Sequence, residues 1–210
     1  AALPTNSSGS TGTGFSGPSD PDLAAIISPI PVNDRAVFSF EFVPEGDSVF
    51  FNYVFASEEY EEFVGSGIND VFAFFVSGPG IPGKQNVALL PGTNTPVSID
   101  NVNQNTNTVF YRSNVSNQFP AFTFDGLTTV LTANIRNLNP CDTYLLELKI
   151  GDGLDDILDS AVFLEAGSFG GAQTDVPGAA FLGTDSLGRS IFEIAEGCDL
   201  AEIAVKKPRC

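Results

Sequence analysis

Histidine, methionine and tryptophan are absent from this chain of 210 residues. Without histidine the chain cannot form a Ser-His-Asp triad, a Cys-His pair or the usual imidazole zinc site. No apolar run reaches the roughly 20 residues that a membrane-spanning helix needs, so we expect no direct membrane insertion. Because the chain starts AALPTNSSGS and lacks methionine, we interpret it as a processed or excised piece of a larger protein.

Positive charge is scarce. The chain has 9 lysines and arginines against 26 aspartates and glutamates, which gives a formal net charge of −17. Such a surface repels phosphate groups, so nucleic acid and anionic membranes are not expected partners. The balance favours a secreted protein that stays soluble or one that collects cations.

Cysteine is also rare, and its number is odd: Cys141, Cys198 and Cys210. One disulfide with a free thiol fits this number, as does a bridge to another segment or chain. Cys198 and Cys210 are close enough in the sequence to pair locally. Nothing basic follows or precedes Cys141 that would activate a thiolate, so a structural role is favoured over a reactive thiol.

The sequence is rich instead in short strand-like runs. Phe38, Phe40 and Phe42 alternate with Ser39 and Glu41, which is typical of a strand with one covered face. A second run follows the turn PEGD, and together they predict a hairpin over residues 37–55. The run DVFAFFV is apolar on both faces and predicts a central strand over residues 70–76.

The close spacing of these runs, with turn residues between them and no sustained helical period, predicts an all-β fold. We expect an antiparallel β-sandwich or jelly roll with little helix, whose core is dominated by the 19 phenylalanines. The predicted organisation is a Gly/Ser/Thr-rich lead-in over residues 1–20, a sandwich over residues 20–169, a linker over 170–190, and over 191–210 the start of a following module or a packing strand.

Two acid-rich segments lie next to runs that should be buried. A buried carboxylate needs a cation or several hydrogen bonds, and lysine and arginine are too few to serve them all. Calcium, which takes about six to eight oxygen ligands, is the natural alternative. The predicted structural calcium ligands come from two loops at one end of the sandwich: Glu58, Glu59, Asp70, Asp152, Asp155 and Asp159.

The spacing of these acids is not that of an EF-hand loop. Glu58 and Glu59 point to opposite faces if the strand continues through them, so at most one should bind the ion. A solvated acidic rim remains the alternative interpretation. Paired carboxylates also occur in glycosidases, but these acids are numerous and clustered and the chain offers only four tyrosines as stacking platforms, so a non-enzymatic role is expected.

Several strings closely resemble the bacterial choice-of-anchor L domain family, notably SEEYEEFVGSGINDVFAFF, NVALLPGTNTPVSIDNVN and DSAVFLEAGSF. The resemblance runs from about Asp20 to Phe169. It implies a module of secreted or cell-surface proteins that carry varied C-terminal sorting or anchoring signals. In the family the domain normally begins several tens of residues earlier, so the N-terminal part of the domain is expected to be missing here.

Three functions fit these observations. The first is a calcium-stabilised β module of a cell-surface adhesin or matrix protein, whose partners are other surface or matrix proteins. The second is a subunit of an extracellular filament, in which the chain associates with itself and a neighbour's strand completes an open sheet edge. The third is a lectin-like module that binds a glycan at the acidic end. The lectin-like function is the least favoured of these, because the chain has no tryptophan and only four tyrosines on which a sugar could stack.

Overall fold

The computed structural model describes residues 14, 17–171, 180–184 and 190–193. Within them the chain forms one short α-helix, one 3₁₀ turn at Thr108–Phe110 and eleven strands. The elements are α1 (Pro21–Ile26), β1 (Val32–Phe42), β2 (Ser48–Ser57), β3 (Val71–Gly78), β4 (Ile81–Asn86), β5 (Tyr111–Ser113), β6 (Gly126–Thr128), β7 (Leu131–Arg136), β8 (Tyr144–Gly153), β9 (Ser160–Leu164), β10 (Ala180–Thr184) and β11 (Ser190–Glu193).

The first nine strands form two antiparallel sheets. One sheet has the order β1-β8-β3-β4, and the other has the order β5-β6-β2-β7 with β9 also paired to β2. Strands β10 and β11 form a separate two-stranded sheet, and β10 lies in the segment for which the sequence predicted a linker. The predicted all-β sandwich with little helix is confirmed.

The core between the two sheets is aromatic. Alternate residues of β2 turn inward, because successive side chains of a strand point to opposite faces. Tyr53 stands edge-on to Phe72 and Phe74 of β3 with ring centroids 5.4 and 4.9 Å apart, and Phe55 stacks on Phe72 at 5.0 Å. These rings join strands from opposite sheets, so the phenylalanine-rich sequence accounts directly for the packing.

The central position of β3 is confirmed, since it pairs with β8 on one side and β4 on the other. The predicted hairpin over residues 37–55 is wrong. Strand β1 pairs with β8, whereas β2 pairs with β7 in the other sheet. The turn between them carries the chain across the sandwich: the carbonyls of Pro44 and Asp47 accept backbone hydrogen bonds from Cys141 and Leu138.

A short N-terminal segment covers the outer face of the first sheet. Asp20 caps α1 by accepting the N–H groups of Asp22 and Leu23. Leu23 and Ile27 then pack in a second, small core with residues of β1 and β3. Strand β3 is thus buried on both faces, which explains its unbroken apolar sequence.

No helix in the described part of the chain is both long and apolar enough to cross a membrane.

Cys141 is disulfide-bonded, which agrees with a structural role for this residue.

Candidate functional site

Four strand ends meet at one end of the sandwich and bring the two acid-rich segments together. The end of β2 pairs with the start of β9, and the start of β3 pairs with the end of β8. The flanking loops are joined by backbone hydrogen bonds, from Glu58 N to Asp159 O at 3.1 Å and from Asn69 N to Gly153 O at 3.4 Å. The sandwich topology therefore places carboxylates that are about 90 residues apart in the sequence beside one another.

Asp70 stands at the mouth of β3 and only 1% of it is exposed. Its Oδ1 accepts the N–H of Gly153 at 3.1 Å, and its Oδ2 accepts the hydroxyl of Ser160 at 2.6 Å. Burial raises the pKa of Asp70 to about 7, although both hydrogen bonds act in the opposite direction. Asp70 thus links the end of β8 to the start of β9. Its two hydrogen bonds offset only part of the cost of burying its charge.

Glu59 is as deeply buried as Asp70, with 1% exposed. Its N–H donates to Ser57 Oγ at 2.9 Å, which holds the backbone at the end of β2. Its carboxylate oxygen Oε2 is buried without a hydrogen-bond partner. Burial, together with the charges of Asp70, Asp155 and Asp152, raises the pKa of Glu59 to about 9. Such a group requires either a proton or a cation.

Asp152 completes the set from the end of β8. Burial first, and then the neighbouring carboxylates with Asp70 foremost, raise the pKa of Asp152 to about 8. Asp155 and Asp159 contribute through their charge to the pKa of Asp70. We name five of the six predicted ligands the acidic cluster: Glu59, Asp70, Asp152, Asp155 and Asp159.

The sixth predicted ligand, Glu58, adds its charge to a different carboxylate. Its charge acts on Asp125, whose pKa is raised to about 6 by burial and then by Glu62, Glu58 and Glu61. The sequence reasoning did not include Asp125 in any site. No local signal marks it, because it reaches Glu58 only through the pairing of β6 with β2.

Asp34 was also missed. Its charge raises the pKa of Asp152, and it reaches that residue because Asn33 pairs with Asp152 across β1 and β8. Asp34 has a positive φ of 45°, an uncommon conformation that aspartate tolerates better than most residues. The sequence pattern VNDRAV gave no indication of this neighbour.

The cluster supplies only oxygen donors, which suit a hard cation such as calcium. As the side chains stand, no group of three or more cysteine, aspartate or glutamate side chains in the described ranges is arranged to hold a metal ion. The chemistry of the donors therefore fits calcium, whereas the arrangement requires the carboxylates to turn toward a common point. Glu59 Oε2 is the one buried carboxylate oxygen of the described chain that has no hydrogen bond to give up.

We expect the calcium-free domain to lose stability as the pH rises from about 4 to about 9. Glu59, Asp152 and Asp70 all have folded-state pKa values above those of unfolded carboxyls, so the folded state holds protons that the unfolded state releases in this range. Their full contribution is present below the unfolded pKa and is lost as the pH passes the folded values. Urea midpoints measured in chelator across this range provide the test.

The matched variants for this experiment are Glu59→Gln and Glu45→Gln. The glutamine at position 59 is neutral at every pH, so the decline between about pH 4 and 9 should become shallower. Glu45 is exposed in the turn after β1, and its replacement should leave the profile as in the parent protein. A Glu59→Gln profile that overlays the parent profile would contradict the assignment.

A search of curated proteins and a search of solved structures each found no match. The family model of the choice-of-anchor L domain matches residues 1–170, and Gly170 at the end of this range bridges Phe50 of β2. The match covers most of the chain, including the whole sandwich and the acidic cluster. The chain therefore belongs to the choice-of-anchor L family, a module of bacterial cell-surface or secreted proteins.

Proposed function

We propose that this chain is a non-enzymatic module of a bacterial surface adhesin or matrix protein, and that calcium bound at the acidic cluster stabilises it. Its partners are other surface or matrix proteins. The observation that carries the proposal is the buried, unpartnered Oε2 of Glu59, which lies among other carboxylates. An uncompensated buried charge of this kind is very costly, and a calcium ion would neutralise it.

Burial also supports a structural role over a catalytic one. Glu59 and Asp70 each expose 1% of their surface, so a polymeric substrate could not reach them without opening the loops. Both carboxylate oxygens of Asp70 already accept hydrogen bonds, one from Gly153 and one from Ser160. A residue used in this way fixes the positions of the two loops, and a cation beside it would fix them more firmly.

Protonation is the competing way to neutralise Glu59, because its raised pKa keeps a proton there near neutral pH. The two alternatives differ in their response to Glu59→Gln. Glutamine imitates the protonated acid, so it takes up no proton when the calcium-free protein folds, but it is a much weaker calcium ligand. Calcium binding to the parent protein should in addition release protons, and its affinity should increase with pH.

We expect calcium to raise the melting temperature of the parent protein. At a concentration a hundredfold above Kd the stabilisation is about 2.7 kcal/mol. In chelator near neutral pH, Glu59→Gln should melt above the parent, because folding of the parent must protonate Glu59 whereas the glutamine is already neutral. It should gain little when calcium is added, whereas Glu45→Gln should gain as much as the parent. Melting curves are measured in chelator, in calcium and in magnesium. Magnesium demands a stricter octahedral geometry, so it tests whether the stabilisation is specific for calcium.

Limited proteolysis gives an independent measurement. Chelation should increase cleavage within residues 56–70 and 151–160, since facing carboxylates repel one another and open the loops first. The core strands should stay protected. If the parent protein shows the same melting curve and the same cleavage map in calcium and in chelator, the proposal is wrong and the cluster is neutralised by protons alone.

A further inference from the structure

One side of the sandwich is open between the edge strands of its two sheets. Strand β1 ends the first sheet and β9 ends the second, and an apolar groove of about 270 Å³ lies between them. At one end Phe169 closes the gap by packing against Phe40 and Phe42 with ring centroids 5.5 Å away in each case. Among the described residues the groove stays open around Phe38, which is 61% exposed.

The central part of the β1 edge, residues 36–40, contains no charge, proline or bulge that would prevent edge-to-edge pairing. Strand β4, at the opposite edge of the same sheet, contains Pro82, Gly83 and Lys84, which disfavour pairing with another strand. Strand β1 is eleven residues long, and its last seven residues are AVFSFEF, with Val37 exposed by 45%. An exposed, long and apolar edge of this kind is a template for another strand.

The charges on β1 indicate which strand fits. Arg35 and Glu41 lie three residues before and three residues after Phe38. If a second β1 pairs antiparallel with the first around Phe38, each Arg35, which lies in the β-bulge at the start of the strand, comes close to the partner's Glu41. The backbone N–H of Arg35 already donates to Pro18 O at 3.3 Å, so its side chain is the part that can reach the partner. The contact of Arg35 with Asp20 at 3.4 Å uses one nitrogen of a guanidinium that has five N–H donors, so the side chain can serve both carboxylates.

We propose that the β1 edge and its groove form an interface with a second copy of this chain. Two β1 strands pair antiparallel around Phe38, the two four-stranded sheets become continuous, and the two open grooves face each other and cover their apolar linings. The net charge of −17 opposes this association, but beyond about 8 Å the repulsion is screened at physiological salt. Such a two-fold contact is closed and does not extend into a filament.

The first test is the mass of the 210-residue chain in solution, measured by light scattering over a range of concentrations. We expect a dimer that dissociates on dilution. Phe38→Glu should raise the dimer Kd by at least about tenfold, because it places a charge in the centre of the apolar contact. Val130→Glu is the matched control, since Val130 is 64% exposed and lies outside the β1 edge. Circular dichroism checks that both variants keep the strand spectrum.

The second test concerns the register. Glu41→Arg sets two arginines opposite each other at both ends of the pairing, so it should also raise the Kd, and added salt should reduce the difference. Glu45→Arg makes the same charge change in the turn beyond the strand and should leave the Kd unchanged. A monomer at every concentration overturns the proposal, as does a mass that grows past the dimer. A Glu41→Arg variant that associates like the parent overturns the pairing around Phe38.

Discussion

Gly153→Ala should destabilise the domain by about 3 kcal/mol and lower its Tm by roughly 6–12 °C. A Cβ atom at position 153 would stand 2.3 Å from the carbonyl oxygen of Asn69 and 2.6 Å from its carbonyl carbon. Both are backbone atoms at the entrance to a buried strand, so they cannot move aside as a flexible side chain would. The methyl group therefore separates the end of β8 from the start of β3.

The same substitution should damage the acidic cluster. The N–H of Gly153 donates to Asp70 Oδ1 at 3.1 Å, and its carbonyl accepts the N–H of Asn69 at 3.4 Å. When the two backbones move apart, Asp70 loses one of its two hydrogen bonds while it remains buried. A buried acceptor without its donor costs about 1–3 kcal/mol, which is part of the expected loss.

Gly170→Ala is the matched control, because a Cβ atom there meets nothing within 4 Å. It should change the free energy of unfolding by no more than about 0.5 kcal/mol. Chemical denaturation of both variants and the parent, with the calcium response recorded in parallel, makes the comparison. If Gly153→Ala loses less than about 1 kcal/mol, the close approach of Asn69 and Gly153 is not as tight as described.

The sequence predicts best those features that depend on one strand at a time. The β3 run is apolar on both faces, and this property alone indicates a strand covered on both sides, whatever covers it. Likewise, the excess of carboxylates beside buried runs predicts that Glu59, Asp70 and Asp152 need compensation, and the structure brings them together at one end of the sandwich. Whether a cation or a proton compensates them stays a prediction.

Features that depend on strand partners are not visible in the sequence. The alternation of Phe38, Phe40 and Phe42 predicts one covered face, but it is the same whether β1 pairs with its neighbour β2 or with the distant β8. The hairpin prediction failed for this reason. The proximity of Asp34 to Asp152 has the same origin, because only the β1–β8 register sets it.

The most consequential of these long-range contacts is made by Lys149. This residue lies in β8 and binds the N-terminal segment through ion pairs. Only 7% of it is exposed, and its Nζ lies 3.0 Å from Asp20 Oδ2 and 2.6 Å from Asp22 Oδ2. The ammonium also lies 5.5 Å from the centre of the Phe75 ring. Burial acts to lower the pKa of Lys149, but its hydrogen bonds to Asp22 and Asp20 outweigh burial and raise it.

Lys149→Met should therefore destabilise the domain by about 3 kcal/mol, the lower end of the range for removing one partner of a buried ion pair. Methionine keeps much of the side-chain volume, so the loss reports the missing charge. Asp20, which is fully buried, would keep only its two backbone donors and the longer contact to Arg35. The cap of α1 should loosen, and protease sensitivity should increase in the segment before β1.

The matched control is Lys84→Met, because Lys84 also contacts Asp22, at 2.9 Å, and lies 5.6 Å from the Phe75 ring centre. Its side chain is 34% exposed, so its loss should cost no more than about 1 kcal/mol. The double variant Lys149→Met/Asp20→Asn should recover part of the stability, since the buried carboxylate is no longer charged.

The pH dependence separates the electrostatic explanation from a packing defect. The pKa of Asp20 is lowered in the folded state: burial acts to raise it, but its hydrogen bonds with Leu23 N–H and Lys149 prevail. The stability that this carboxylate contributes is present above its unfolded pKa and is lost as the pH falls through the lower folded value. In Lys149→Met, Asp20 accepts a proton more readily, so the difference from the parent should shrink toward about pH 3. A deficit that is equal at neutral and acid pH would show that Lys149 acts through packing and that its charge has no part in anchoring α1.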